Sequence, residues 1–298
     1  HRDLHSFPTR RSSDLSNGGI TDIDIGPSID FHDKPMPLER RGGYDEYWLA
    51  SDALEHSSHS YDGHMFDRNM NTVYFPEGRY RVDAVTDYVV NYLKDYKGDK
   101  PFFLFVSYIE PHHQNDHNQY EGPHGSKEHF KDFHVPADLE GTEGDWRENY
   151  ADYLGCCHSL DENVGRIRQT VKDLGIEENT IMIYTSDHGS HFRTRNAEYK
   201  RSCHDGCIRI PLVIRGGPFN GGKKVSELIS LLDLPSTVLD LAGVAIPEYM
   251  QGNSLLPLIM GTAESWRDEV FLQISESQVG RAIRTKKWKY SVVAHGKE

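Results

Sequence analysis

Between two short apolar runs, the segment "IMIYTSDHGSHFRTRNAEYKRSCHDGCIRIPLVIRG" (residues 181–216) gathers Asp, His, Lys and Arg where buried strands end. Asp187 and His188 close the first run, and Gly189 after them permits a sharp turn. Neighbouring side chains at a strand end, where the pleat is lost, can both turn toward one ion. A carboxylate with an imidazole suits a divalent metal. An Asp capping a turn beside a surface His fits the same residues, so the pair alone does not decide. Lys200 lies on the same loop, with His204 four residues on and Arg209 beyond it. A second apolar run, "PFFLFVSYIEPHH", delivers Glu110, His112 and His113 to another strand end. Cationic groups around a metal pair would suit a small tetrahedral dianion or its monoester, because stabilisation of developing charge is usually the largest catalytic contribution. Taken singly, the two histidines are equally a solvated turn and the lysine a surface charge.

The elements that must hold these groups alternate along the chain. Val82, Val85, Val89, Leu93 and Tyr96 fall on one helical face, and residues 102–108 read as a continuous apolar strand. Tyr153, Cys157, Leu160, Val164, Ile167, Val171 and Leu174 recur at threes and fours, which predicts a helix over 150–174 closed by Gly175. That stripe is expected to pack on a sheet in which residues 102–108, 180–185 and 210–214 are neighbours. "VSELISLLDLPSTVLDLAG" reads as a strand edge and then a helix with Pro235 in its first turn. From Val270 three short strands follow without helices between them, the rhythm of a small antiparallel subdomain. The predicted class is α/β, a mostly parallel (mixed) central sheet with helices on both faces. Before Tyr80 the chain is rich in Gly, Pro, Asp and His and reads as a long surface excursion carrying short elements.

A chain of 298 residues can hold one large α/β domain with a small appendage. Its net charge of -13 argues against a nucleic-acid partner. An anionic small substrate stays open, because a pocket sets its own potential. No run of about 18 apolar residues is present, so neither a transmembrane helix nor a membrane partner is expected. Cys156 and Cys157 fit core packing; Cys203 and Cys207 could bridge or ligate a metal, but packing is the simpler role. The opening "HRDLHSFPTRRSSDL" is basic and without period, resembles a translated sequencing adapter, and is set aside as residues 1–15 without structure.

From about Tyr80 onward the chain resembles the sulfatase family of the alkaline-phosphatase superfamily, through "PFFLFVSYIEPHH", "YADYLGCCHSLDENVGRI", "NTIMIYTSDHG", "LLDLPSTVLDLAGV", "MQGNSLLPLI" and "RAIRTKKWKY". The resemblance implies that Asp187 and His188 ligate a calcium ion. It implies that Lys200, eleven residues before Pro211, contacts the sulfate, with Asp205 and Arg209 at the positions of the family's acidic residue and Arg. His112 matches the histidine of the family's "PH" element, a proton donor or hydrogen-bond partner for the leaving oxygen; His113 and His204 are added to the substrate pocket. His112, Asp187, His188 and Lys200 are then expected to converge on one cleft. Residues 16–265 become a truncated sulfatase α/β domain, and 266–298 the beginning of the C-terminal subdomain.

Sulfatases also use a formylglycine made from the Cys or Ser of a C/S-x-P-x-R element, and an early pair of aspartates as metal ligands. None of the four cysteines stands in such an element, Ser6 and Ser28 are read as outside one, and no early "DD" is found. The expectation is therefore a gene fragment, inactive by itself, of a parent that hydrolyses a sulfate monoester on a sulfated carbohydrate in a periplasmic or extracellular setting. A metal-dependent phosphodiesterase or phosphomutase of the same superfamily is the alternative, and a catalytically dead glycan-binding module is a third. Oligomeric state is left open.

Overall fold

A computed structural model describes residues 34–44, 46–97, 100–274 and 279–294. The leader, residues 1–15, lies outside them. The chain divides into two compact units, one ending at Leu174 and the other beginning at Gly175.

In the first unit, strands β1 (Leu49–Ala50), β2 (Ser58–His59), β3 (Asp62–Asp67) and β4 (Thr72–Tyr74) form an antiparallel sheet in which β3 pairs with the other three, and helix α1 (Leu54–Ser57) lies between β1 and β2 in the chain. The region expected to be a surface excursion thus contributes core: Met65 and Phe75 pack with Ala84 and Val85. Those last two belong to α2 (Arg81–Asp95), whose buried Val82, Val85, Val89 and Leu93 are the expected stripe. After the short α3 (Ser126–Phe130) comes the long α4 (Trp146–Asp173), which packs against α2 and α3.

The face of α4 differs from expectation by a small rotation. Cys156, Leu160 and Val171 are buried, together with Gly155, Ser159, Asn163 and Thr170, whereas Tyr153, Cys157, Val164 and Ile167 are only half-buried. Small residues let the neighbouring helices approach closely: a Cβ on Gly155 would stand 2.1 Å from the Ser126 hydroxyl of α3. Asn163 fits because its amide donates to Asp83 of α2 at 2.9 Å and to the Ser159 carbonyl at 2.8 Å.

Residues 102–108 are not a strand. Their exposure alternates with the period of an extended chain: Phe103 and Phe105 are exposed, while Val106 and Tyr108 pack on the core. Among the described residues no strand pairs with them, and apolar alternation without a ladder partner leaves the backbone groups outside any sheet.

The second unit holds β5 (Met182–Thr185), α5 (Asp205–Ile208), β6 (Leu212–Arg215), α6 (Asp233–Leu241), α7 (Leu256–Met260), β7 (Glu269–Ile274), β8 (Val279–Thr285) and β9 (Lys289–Ala294). β5 and β6 are neighbours as expected, but antiparallel, Met182 opposite Arg215 and Thr185 opposite Leu212. Every strand pairing among the described residues is antiparallel, so the expected parallel ladder is not among them. The segment before α6 forms no strand edge. Pro235 does sit in the first turn of α6, where its missing N–H costs nothing. The expected three-strand antiparallel sheet is β7-β8-β9. Asp233, fully buried at the start of α6, holds this region together: it takes both arms of Arg267 at 2.8 and 2.6 Å and backbone N–H groups of Ser230 and Asn253.

Candidate active site

The expected site residues fall into two groups, one in each unit. In the first unit, the chain leaves Tyr108, turns through a cis Glu110–Pro111 bond, and presents His112 and His113. His112 is not a solvated turn residue. Its Nδ1 stands 2.9 Å from Oε2 of Glu55 on α1 and 2.7 Å from the His113 carbonyl, with both ion-pair side chains under 10 % exposed. Glu55 also accepts from the Asn115 amide at 2.9 Å. A carboxylate against one ring nitrogen fixes an imidazole's orientation and leaves proton exchange to the other, here Nε2. His113 is buried, its Nδ1 3.2 Å from the Asn115 side-chain oxygen and its ring edge-on to Tyr120 at 5.2 Å.

Glu55 carries a pH signature. Burial would raise its carboxyl, but the hydrogen bond and charge of His112, helped by Asn115, outweigh that and hold it at about 2. A carboxyl that stays ionised in the fold below its ordinary 4.5 stabilises fully above that pH and ceases to do so as pH falls toward 2. Wild-type protein should therefore lose more unfolding free energy between pH 4.5 and 3 than Glu55→Gln does, measured by denaturant titration. Equal losses would show that the pair does not form.

The second group sits on the loop between β5 and β6. Asp187 is 80 % exposed at its side chain, and its Oδ2 lies 3.6 Å from Nε2 of His188. Its Oδ1 accepts the His188 backbone N–H at 2.8 Å. Neighbouring ligands of one divalent ion stand about 3–3.5 Å apart, a spacing that this carboxylate and imidazole match as two members of a ligand set. Among the described residues they join no third His, Cys, Asp or Glu in a metal-sized cluster. Gly189 matters here for close approach rather than for a positive φ. Its N–H bonds the Cys207 carbonyl at 2.8 Å, and an added Cβ would stand 2.1 Å from the Gly206 carbonyl oxygen.

The loop folds back on itself to place Lys200. The His191 N–H donates to the Tyr199 carbonyl at 2.8 Å, and Nε2 of buried His191 faces the Lys200 carbonyl at 3.2 Å. Burial pushes His191 toward the neutral form. Asn196 donates to the same Lys200 carbonyl, and the Lys200 ammonium rests over the Tyr199 ring at 5.4 Å. Beyond it, His204 immediately precedes α5, pushed toward neutrality by partial burial and by Arg195 and Lys289. Arg209 is exposed at the end of α5. Asp205 binds Lys289 at 2.7 Å and Arg284 at 3.1 Å, which ties the β7-β8-β9 sheet to the site loop within this unit. All four cysteines are free thiols, three of them buried, in agreement with packing.

Sequence reasoning missed Glu55, Asn115 and His191. Glu55 lies in a polar stretch without period, and its partner is 57 residues away; only "DHGSH" gave a hint of His191. Ser6 requires a correction. Residues 6–10, "SFPTR", do spell S-x-P-x-R. They lie in the leader, outside the described residues.

The sulfatase family matches residues 31–244, and the C-terminal region of N-sulphoglucosamine sulphohydrolase matches residues 197–295. The chain belongs to the sulfatase family, of the alkaline-phosphatase superfamily. It is 30% identical over 280 residues to the ulvan-active sulfatase of Formosa agariphila, covering 87% of this chain and 52% of that protein. It is 36% identical over 122 residues to arylsulfatase K of Xenopus laevis, covering 41% and 23%. The solved structure of yidJ, a candidate sulfatase of Bacteroides fragilis, superposes with a TM-score of 0.71 at 25% identity over 88% of this chain and 59% of that one. The chain thus spans about half the length of the relatives it matches most extensively, and its α/β fold is alkaline-phosphatase-like.

Proposed function

We propose that the whole protein hydrolyses a sulfate monoester, with a sulfated carbohydrate as substrate. The observation that carries this is the loop of residues 187–204 in a chain of the sulfatase family: an exposed Asp187 against a half-buried His188, on the same loop as a lysine whose backbone is pinned by His191 and Asn196. The ulvan-active sulfatase, by its name, acts on a sulfated polysaccharide, which supports the substrate class.

The chain's own residues divide the work. Asp187 and His188 would hold a divalent cation, calcium in our reading, which when bound polarises an ester oxygen. Lys200, with Arg209 and His204 in support, would neutralise charge growing on the sulfate oxygens, a contribution largest in the transition state. His112, its Nδ1 held by Glu55, would protonate the departing sugar oxygen from Nε2. The formylglycine nucleophile expected of the family is not assigned to any residue of this chain. The same proposal includes the mostly parallel sheet with helices on both faces, and a periplasmic or extracellular setting.

The test is ester class. The whole protein should release sulfate from a panel of sulfated oligosaccharides and leave phosphate mono- and diesters essentially intact. Turnover of a phosphodiester without sulfate release would replace this reading with the phosphodiesterase one.

A further inference from the structure

Away from these groups, the first unit builds a second constellation from two tight turns. The β2–β3 hairpin, with His59 opposite Asp62, supplies both of those residues. The turn closed by the Gln114–Gln119 bridge supplies Asp116 and His117. The rings of His59 and His117 stack at 4.4 Å and 9°, and both Nε2 atoms face one carboxylate oxygen, Asp116 Oδ2, at 2.8 and 3.9 Å. One ligand atom from each of the three residues lies within 4.8 Å of the other two.

The outer contacts decide what such a cluster can hold. Nδ1 of His59 is bonded to the Asp62 carboxylate at 3.2 Å, and Nδ1 of His117 to Glu121 at 2.5 Å. Glu121 is fixed in turn by Ser60 and Gln119. The other oxygen of Asp116 accepts from Gln114 at 2.7 Å, and Gln114 is buried and anchored on the Glu55 carbonyl. Carboxylates on Nδ1 set the tautomer that leaves the Nε2 lone pair outward, the arrangement that orients histidines on zinc.

We propose that His59, His117 and Asp116 form a binding site for a zinc-class transition-metal ion, through both Nε2 atoms and the Asp116 carboxylate. Two imidazoles with a single carboxylate, a set poor in oxygen, favour zinc, nickel or copper over calcium or magnesium, which require six or more oxygens. A tetrahedral zinc sets neighbouring donors about 3.3 Å apart, so the two Nε2–Asp116 distances need change by only about half an ångström, while the exposed or half-buried rings must rotate out of their parallel stack so that both lone pairs meet at the ion. His59, Asp62 and Glu121 also line a cleft of about 420 Å³ with Tyr61, His124 and Lys127. An ion here would sit at the rim of a polar, sugar-sized recess. The proposal is independent of the sulfate reading.

The test is calorimetric titration of zinc chloride into the metal-stripped chain at pH 7.5, with cobalt(II) absorption reporting coordination geometry. One zinc should bind, and cobalt should give the intense visible bands of a tetrahedral ion. His117→Ala should remove that site. Glu121→Gln, which touches no ligand atom of the ion, should still weaken binding by about 10–100-fold. Millimolar calcium should not compete. A His129→Ala control, at an exposed histidine outside the cluster, should bind as wild type does. Unchanged zinc affinity and stoichiometry in both His117→Ala and Glu121→Gln would overturn the proposal, since chance chelation elsewhere is indifferent to either.

Discussion

Lys200→Ala in the whole protein should lower kcat/KM for a sulfate ester by about 10²–10³-fold, while Lys223→Ala leaves it unchanged. The two lysines differ in how they are held. Lys223 is exposed, and its ammonium bonds the Ile259 carbonyl. Lys200 is partly buried on a loop whose backbone closes through His191, Tyr199 and Asn196, and its ammonium leans on the Tyr199 ring. A cation placed in advance needs no reorganisation when charge develops on the sulfate oxygens, so its loss falls on the chemical step. The rates are to be compared under saturating calcium. Equal values for the two variants would show that the charge-neutralising lysine has been misassigned.

Removal of one partner from the Arg81–Glu110 pair should cost about 3–5 kcal/mol of stability, because it strands an uncompensated buried charge. Both side chains are almost fully buried, with Arg81 Nε 2.8 Å from Glu110 Oε1. Arg81 also donates from Nη1 to the carbonyl and hydroxyl of Ser58, both at 3.0 Å. One guanidinium thus joins the first turn of α2, strand β2 and the segment leading to His112. Arg81→Ala or Glu110→Ala should lower the urea midpoint markedly, and Arg81→Met combined with Glu110→Leu should recover much of the loss. If the double variant is as unstable as the sum of the singles, the polar contacts to Ser58 carry the effect instead of the ion pair.

Much of the fold was legible where a single period ran long enough. Helix α2 and the three C-terminal strands follow from spacing alone, and so does the existence of α4. Its buried face did not, because Gly155, Ser159 and Asn163 earn their place by closeness and hydrogen bonding, which leave no apolar signal. The small sheet before Tyr80 was hidden for another reason: its strands are two to six residues long and rich in His, Ser and Asp. Residue types after the apolar runs made Asp187, His188, Lys200 and His112 candidates, although the run before His112 is no strand, and the side chains that hold them could not be read. Glu55 on His112, and His59 against Asp116, are each partnered across 57 residues, and no local pattern encodes such a pairing. Apolar runs at 102–108 and 182–185 look alike in sequence; which one finds a ladder partner depends on neighbours, not on its own residues.

Sulfate release by the whole protein from a sulfated oligosaccharide, wild type beside Asp187→Ala and titrated with calcium, tests the central claim most directly. Wild type should release sulfate in a calcium-dependent manner, and the variant should lose at least about 10²-fold of that rate. Release by Asp187→Ala at the wild-type rate, with the same calcium dependence, would contradict it.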